Sequence, residues 1–137
     1  MELKLKKTAG IFGMELENER GLTIKLDAST DLGGNNDGYR PMELLAGSLA
    51  GCSSIDVLHI LNKQKIQPKT FDVTTIATRV ENQIPAVFKS IKLIFSTSSE
   101  VPLEKLERAV ALSVEKYCSV SKMLEPTCEI SYEVKHN

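Results

Sequence analysis

The segment from Met42 to about Lys65 constrains this chain more than any other. It carries Leu44, Leu45, Ala46, Leu49, Ala50, Cys52, Ile55, Val57, Leu58, Ile60 and Leu61. At helical periodicity these residues fall on every face, so the helix has no solvent side and requires cover all round. Gly47, Ser48, Ala50 and Gly51 are small and let another backbone approach closely. One thin sheet cannot surround such a helix; a second layer or a second chain has to. Pro41 suits the first helical position, where its missing N–H costs nothing. Glu43 lies in the first turn, where the helix dipole favours an acid.

The flanking segments read as strands and one more helix. Glu2–Lys7, Ile11–Glu17 and Leu22–Leu26 alternate apolar and polar residues, with a turn at Asn18–Gly21, which predicts an antiparallel meander. Asp31–Arg40 is rich in Gly, Asn and Asp and reads as a loop. Thr70–Val80 and Phe88–Ser96 predict two longer strands joined by a turn at Asn82–Pro85. Leu103–Tyr117 predicts an amphipathic helix with the stripe Leu106, Ala109, Val110, Leu112, Ser113 and Val114. A short helical turn at Ser119–Leu124 and a last strand at Cys128–Val134 follow. With no repeat and no linker, residues 1–137 are expected to form a single α+β domain.

Composition narrows the function classes. Seventeen basic residues against eighteen acidic ones leave a net charge of −1, which gives no field for drawing in nucleic acid or an anionic membrane. Aromatics are 5% and Trp is absent, so platforms for stacking bases are scarce. No uninterrupted apolar run approaches the ~18 residues of a bilayer span, and the charged, alternating N-terminus lacks the apolar core of a secretory signal. The expected location is the cytoplasm. An odd number of cysteines, 3, in a reducing compartment argues against a disulfide framework.

Each cysteine has a bland and a chemical reading. Cys52, within the apolar helix, is by composition alone a small buried hydrophobe; Asp56, one turn later on the same face, would raise the pKa of its thiol. Cys118 ends the second helix, where the dipole disfavours a thiolate, so it suits capture of an oxidised partner better than attack. Cys128 reads as core or edge filler. There is no Cys-x-x-Cys. His59 is two turns, about 10 Å, beyond Cys52, and reads as a partly exposed helix residue. His136, near the C-terminus, is expected to be disordered. The histidines make no metal cluster with these cysteines at a familiar spacing, and the loop glycines fit no nucleotide-binding fingerprint. Neither a metal nor an organic cofactor is expected.

The run Gly38-Tyr39-Arg40-Pro41-Met42-Glu43-Leu44-Leu45-Ala46-Gly47-Ser48-Leu49-Ala50-Gly51-Cys52 resembles the OsmC/Ohr family, and most of all its YhfA-type branch. Val87-Phe88 with Ile91, and Glu107-Arg108-Ala109-Val110 through Glu115-Lys116-Tyr117-Cys118-Ser119, agree in order and spacing. The resemblance implies an OsmC-like fold, with two long helices packed against antiparallel sheets in an intertwined homodimer. It implies a thiol peroxidase for organic hydroperoxides, with Cys52 peroxidatic, Cys118 resolving, a small apolar peroxide as substrate and a cellular dithiol as reductant. In the family's peroxidases an arginine from an N-terminal strand, held by the glutamate corresponding to Glu43, activates the thiolate. Here residues 1–19 contain no arginine. Arg40, beside Pro41, is carried as the candidate cation, with Arg20, Lys4, Lys6 and Lys7 behind it. This departure motivates a second expectation, a non-catalytic protein that holds a lipid-like or other apolar ligand at the dimer interface.

Overall fold

A computed structural model describes residues 1–137, arranged as two compact units, Met1–Leu45 and Ala46–Asn137. The first unit is an antiparallel meander of β1 (Leu3–Lys7), β2 (Met14–Asn18) and β3 (Thr23–Leu26) in that order. Leu5 pairs with Leu16, and Leu16 with Ile24, so one apolar row crosses all three strands. Leu3, Leu5 and Ile24 nevertheless stay exposed. The second strand starts later than its alternation suggests, because residues around Ala9–Phe12 turn, with the Gly13 N–H donating to Ala9 at 2.9 Å.

The predicted loop after β3 is closely organised. Buried Asp27 accepts the backbone N–H groups of Ala28, Asn35 and Asp37 at 2.8, 2.9 and 3.2 Å. The Asp37 N–H leads in holding this carboxyl below its ordinary value, against the opposing effect of burial. Gly38 passes so close to Leu26 that a Cβ there would lie 2.6 Å from its carbonyl carbon, which reserves the position for glycine.

Helix α1 (Pro41–Lys63) begins in the first unit and runs into the second. Within the second unit it buries a single stripe, Ala46, Leu49, Ser53, Val57 and Leu61, at the three- and four-residue spacing of one helix face. Ile55 is 72% exposed and Leu58 38%. The chain by itself therefore does not enclose the helix as its apolarity requires. By length and composition alone α1 is long and apolar enough to cross a membrane: the mean hydropathy of its best window is 1.6. It reaches that average with Asp56 and several serines interspersed, so a count of consecutive apolar residues does not detect it. The buried stripe, centred on Ser53, packs within the second unit.

The second sheet holds β4 (Phe71–Arg79), β5 (Phe88–Thr97) and β6 (Glu129–His136), with β5 in the middle. Phe88, Ile91, Leu93 and Phe95 of β5 are buried, and Phe95 meets the Phe71 ring at 6.1 Å between centroids. β4 and β5 pair antiparallel, whereas β5 and β6 pair parallel. The sheet is mixed rather than purely antiparallel because the chain crosses over through α2 (Leu103–Leu112) and α3 (Ser119–Leu124) before returning as β6. Helix α2 lays Leu106, Ala109 and Val110 into this core and packs along β6. His136 is not disordered: it lies in β6, with a ring nitrogen 2.8 Å from the Val101 carbonyl. Cys128 is buried just ahead of β6.

Candidate functional site: a dithiol between two helices

Cys52 and Asp56 lie four positions apart in α1, one above the other on the margin of its buried stripe. Both are half-buried. Cys118 reaches the same place from the other end of the second unit, and a local irregularity brings it there. Helix α2 does not run on to Tyr117 as its pattern predicts; residues Ser113–Tyr117 form one π turn, closed by the Cys118 N–H donating to the Ser113 carbonyl at 2.8 Å. Such turns widen the helix and recur at functional sites. Here the turn places Cys118, fully buried, at the start of α3.

The sulfurs of Cys52 and Cys118 and a carboxylate oxygen of Asp56 all lie within 4.8 Å of one another. Three serines hold the arrangement. The Ser53 hydroxyl donates to the Cys118 sulfur at 3.4 Å. The Ser121 backbone N–H does the same at 3.4 Å, so the sulfur caps α3. Ser113 donates to Asp56 Oδ2 at 3.0 Å and lies 3.3 Å from the Ser53 carbonyl. The Ser121 hydroxyl donates at 2.7 Å to the Val114 carbonyl, within the π turn.

Burial pushes the Cys118 thiol above its ordinary value, and the neighbouring Cys52 adds to the rise, while the Ser53 and Ser121 donors work against it. None of these groups carries positive charge. Cys118 ends one helix and opens the next, as the sequence predicts, and burial rather than the first helix's dipole leads in setting the direction. Only a thiolate attacks an electrophile. Iodoacetamide is therefore expected to label Cys52 of the reduced native protein at least about tenfold faster than Cys118. Peptide mapping of a time course checks this, and equal rates at both positions would contradict it.

Arg40 and Glu43 are paired through the backbone. Glu43 Oε2 accepts the Arg40 N–H at 2.9 Å, a capping arrangement at the start of α1. The Arg40 guanidinium donates to the Gly38 carbonyl at 3.0 Å and to Asn36 Oδ1. Lys6 pairs with Glu17 at 3.1 Å and Lys4 with Glu2 at 3.6 Å, all within the first unit. An open groove of about 650 Å³ runs along the second unit beside the dithiol, lined by Asp56, His59, Ile60, Leu112 and Tyr117 among others.

In the sequence Asp56 registers only through its effect on the Cys52 thiol, Ser53 and Ser121 carry no motif, and Ser113 falls within an apolar stripe. A hydroxyl on a buried stripe was the available signal, since a buried serine needs a partner.

A family model described as OsmC-like protein matches residues 34–133, a span that includes both Cys52 and Cys118. The chain belongs to the OsmC family. This OsmC-like chain is 41% identical over 137 residues to Protein YhfA of Escherichia coli K12, covering 98% of each. A hypothetical protein from Aquifex aeolicus VF5 superposes with a TM-score of 0.80 at 33% identity, over 99% of this chain and 96% of that one. The organic hydroperoxide resistance protein OhrB of Bacillus subtilis superposes with a TM-score of 0.70 at 19% identity, over 98% and 96% of the chains, a likeness of fold alone. The α+β, OsmC-like architecture implied by the sequence is thereby established.

Proposed function

We propose that this OsmC-like protein is a cysteine-based peroxidase for organic hydroperoxides, acting as a homodimer in the cytoplasm. The observation that carries the reading is the approach of the Cys52 and Cys118 sulfurs to within 4.8 Å, near enough for a small side-chain movement to join them. In this reading the Cys52 thiolate attacks the outer peroxide oxygen. The O–O bond breaks, the alkoxide takes up a proton and leaves as an alcohol, and Cys52 becomes a sulfenic acid. The Cys118 sulfur then attacks Cys52, a disulfide forms and water departs. A cellular dithiol returns both sulfurs to thiols by exchange, leaving as its own disulfide. Half-buried Cys52 is open to the substrate, whereas buried Cys118 is shielded until its partner is oxidised. The apolar side chains along the neighbouring groove favour an alkyl peroxide over hydrogen peroxide.

Arg40 and Glu43 are assigned to holding the start of α1, in keeping with the cap and loop hydrogen bonds they make. The homodimer is supported by apolar surface that one chain leaves bare: Leu3, Leu5 and Ile24 on the first sheet, Ile55 and Leu58 on α1. Reduced protein is expected to consume one equivalent of cumene hydroperoxide per chain, and to turn over when a dithiol is supplied. No consumption would overturn the reading. The groove favours one other reading, a carrier of a lipid-like ligand; a co-purified apolar molecule in native mass spectrometry, with no peroxide consumed, would establish that instead.

A further inference from the structure

We infer that Cys52, Asp56 and Cys118 form a binding site for a thiophilic divalent cation of the zinc class, occupied while the thiols are reduced. Two thiolates and a carboxylate are the donor set that zinc takes, leaving a fourth position for water. The three donor atoms already lie within 4.8 Å of one another. A tetrahedral centre with Zn–S of about 2.3 Å and Zn–O of about 2.1 Å spaces its ligand atoms by roughly 3.5–3.8 Å. The remaining difference is about 1 Å, a distance that side-chain rotation can cover.

The supporting geometry is that of a metal site. Cys52 and Asp56, at i and i+4 of a 23-residue helix, form a chelate from one rigid face. Cys118 completes it from across the unit, its position fixed by the π turn and the start of α3. Each of two donors is also oriented from outside. Asp56 Oδ2 accepts from Ser113, which steadies the carboxylate and leaves it lone pairs for the cation. The Cys118 sulfur accepts from Ser53 and Ser121, N–H and O–H contacts of the kind that steady metal thiolates. Cys118 is fully buried while Cys52 and Asp56 are half-open, so the cation enters from the α1 side.

Metal and disulfide exclude each other, because each claims both sulfurs. Oxidation by a diazene such as diamide moves two electrons from the bound thiolates to its N=N bond. The sulfurs join, the diazene takes up two protons as the hydrazine, and the cation leaves. Bound zinc would thus mask the thiols, and oxidation would release it. The inference needs two reduced, adjacent thiols but no peroxidase activity, so it goes beyond the reading above.

Cobalt(II) titration of the reduced full-length protein tests it. One equivalent per chain is expected to give thiolate-to-cobalt charge transfer in the near ultraviolet and the strong visible bands of a tetrahedral site. Zinc should displace it. Asp56→Asn should weaken binding about tenfold or more, and Cys52→Ser should abolish the charge-transfer band. Diamide should release one zinc per disulfide formed, read with a chromogenic chelator. Absence of charge transfer, or bands unchanged in both variants, would overturn the site. Zinc retained after the disulfide forms would overturn the exclusion. Because no peroxide enters these measurements, their failure is distinct from failure of the peroxidase reading.

Discussion

Cys52→Ser is expected to reduce cumene hydroperoxide consumption to the rate of buffer. A serine hydroxyl in the same half-buried position stays protonated at neutral pH and lacks the polarisable sulfur that attacks an O–O bond. The expected fall is about a thousandfold or more, equivalent to about 4 kcal/mol of barrier. Cys118→Ser is expected to act differently. It keeps the first step, so one equivalent of peroxide is still consumed. It cannot condense, so a sulfenic acid persists at Cys52 and is trapped by dimedone. The contrast separates attacking from resolving thiol, which a general loss of packing at the buried Cys118 would not do. A Cys52→Ser protein that consumed peroxide at the parent rate would sink the assignment.

Ile55→Glu is expected to halve the mass in solution. Ile55 is 72% exposed on an otherwise apolar helix in a single chain. If a second copy covers that face, each Ile55 contributes about 1.5–3 kcal/mol of buried apolar surface. A glutamate there brings an unpaired charge into the contact, which costs several kcal/mol more. A symmetric pair suffers this twice. Light scattering should move from twice the 15.1 kDa chain mass toward a single chain at micromolar concentration. A dimer unaffected by the substitution would show that this face of α1 lies outside the interface.

What the sequence made legible was what local pattern encodes. The all-round apolarity of residues 42–65 identified α1 and its need for cover, which the exposed Ile55 and Leu58 now make concrete. Alternation found the meander, Gly21 marked a turn within it, and Pro41 marked the start of α1. Three things were hidden because they depend on contacts between distant residues. The π turn arises where Ser113 meets Asp56 and the Ser53 backbone, partners some sixty positions earlier. The parallel pairing of β6 depends on which neighbour the crossover delivers it to, and nothing within Cys128–Val134 records that. The Arg40 guanidinium finds the Gly38 carbonyl and Asn36 because Asp27, well upstream, organises the loop that carries them. The dithiol itself was reachable only through the resemblance. No spacing rule joins position 52 to position 118, and Asp56 was legible as a neighbour of one cysteine but not of both.

The central claim is that these two sulfurs act on each other, and peptide mapping tests it most directly. Reduced protein is treated with one equivalent of cumene hydroperoxide, quenched with an alkylating agent and digested without reductant. The account predicts a peptide pair linked through Cys52 and Cys118 within one chain, with Cys128 alkylated and free. Recovery of Cys52 and Cys118 both alkylated, or of Cys52 carried on to sulfinic acid beside an untouched Cys118, would contradict it.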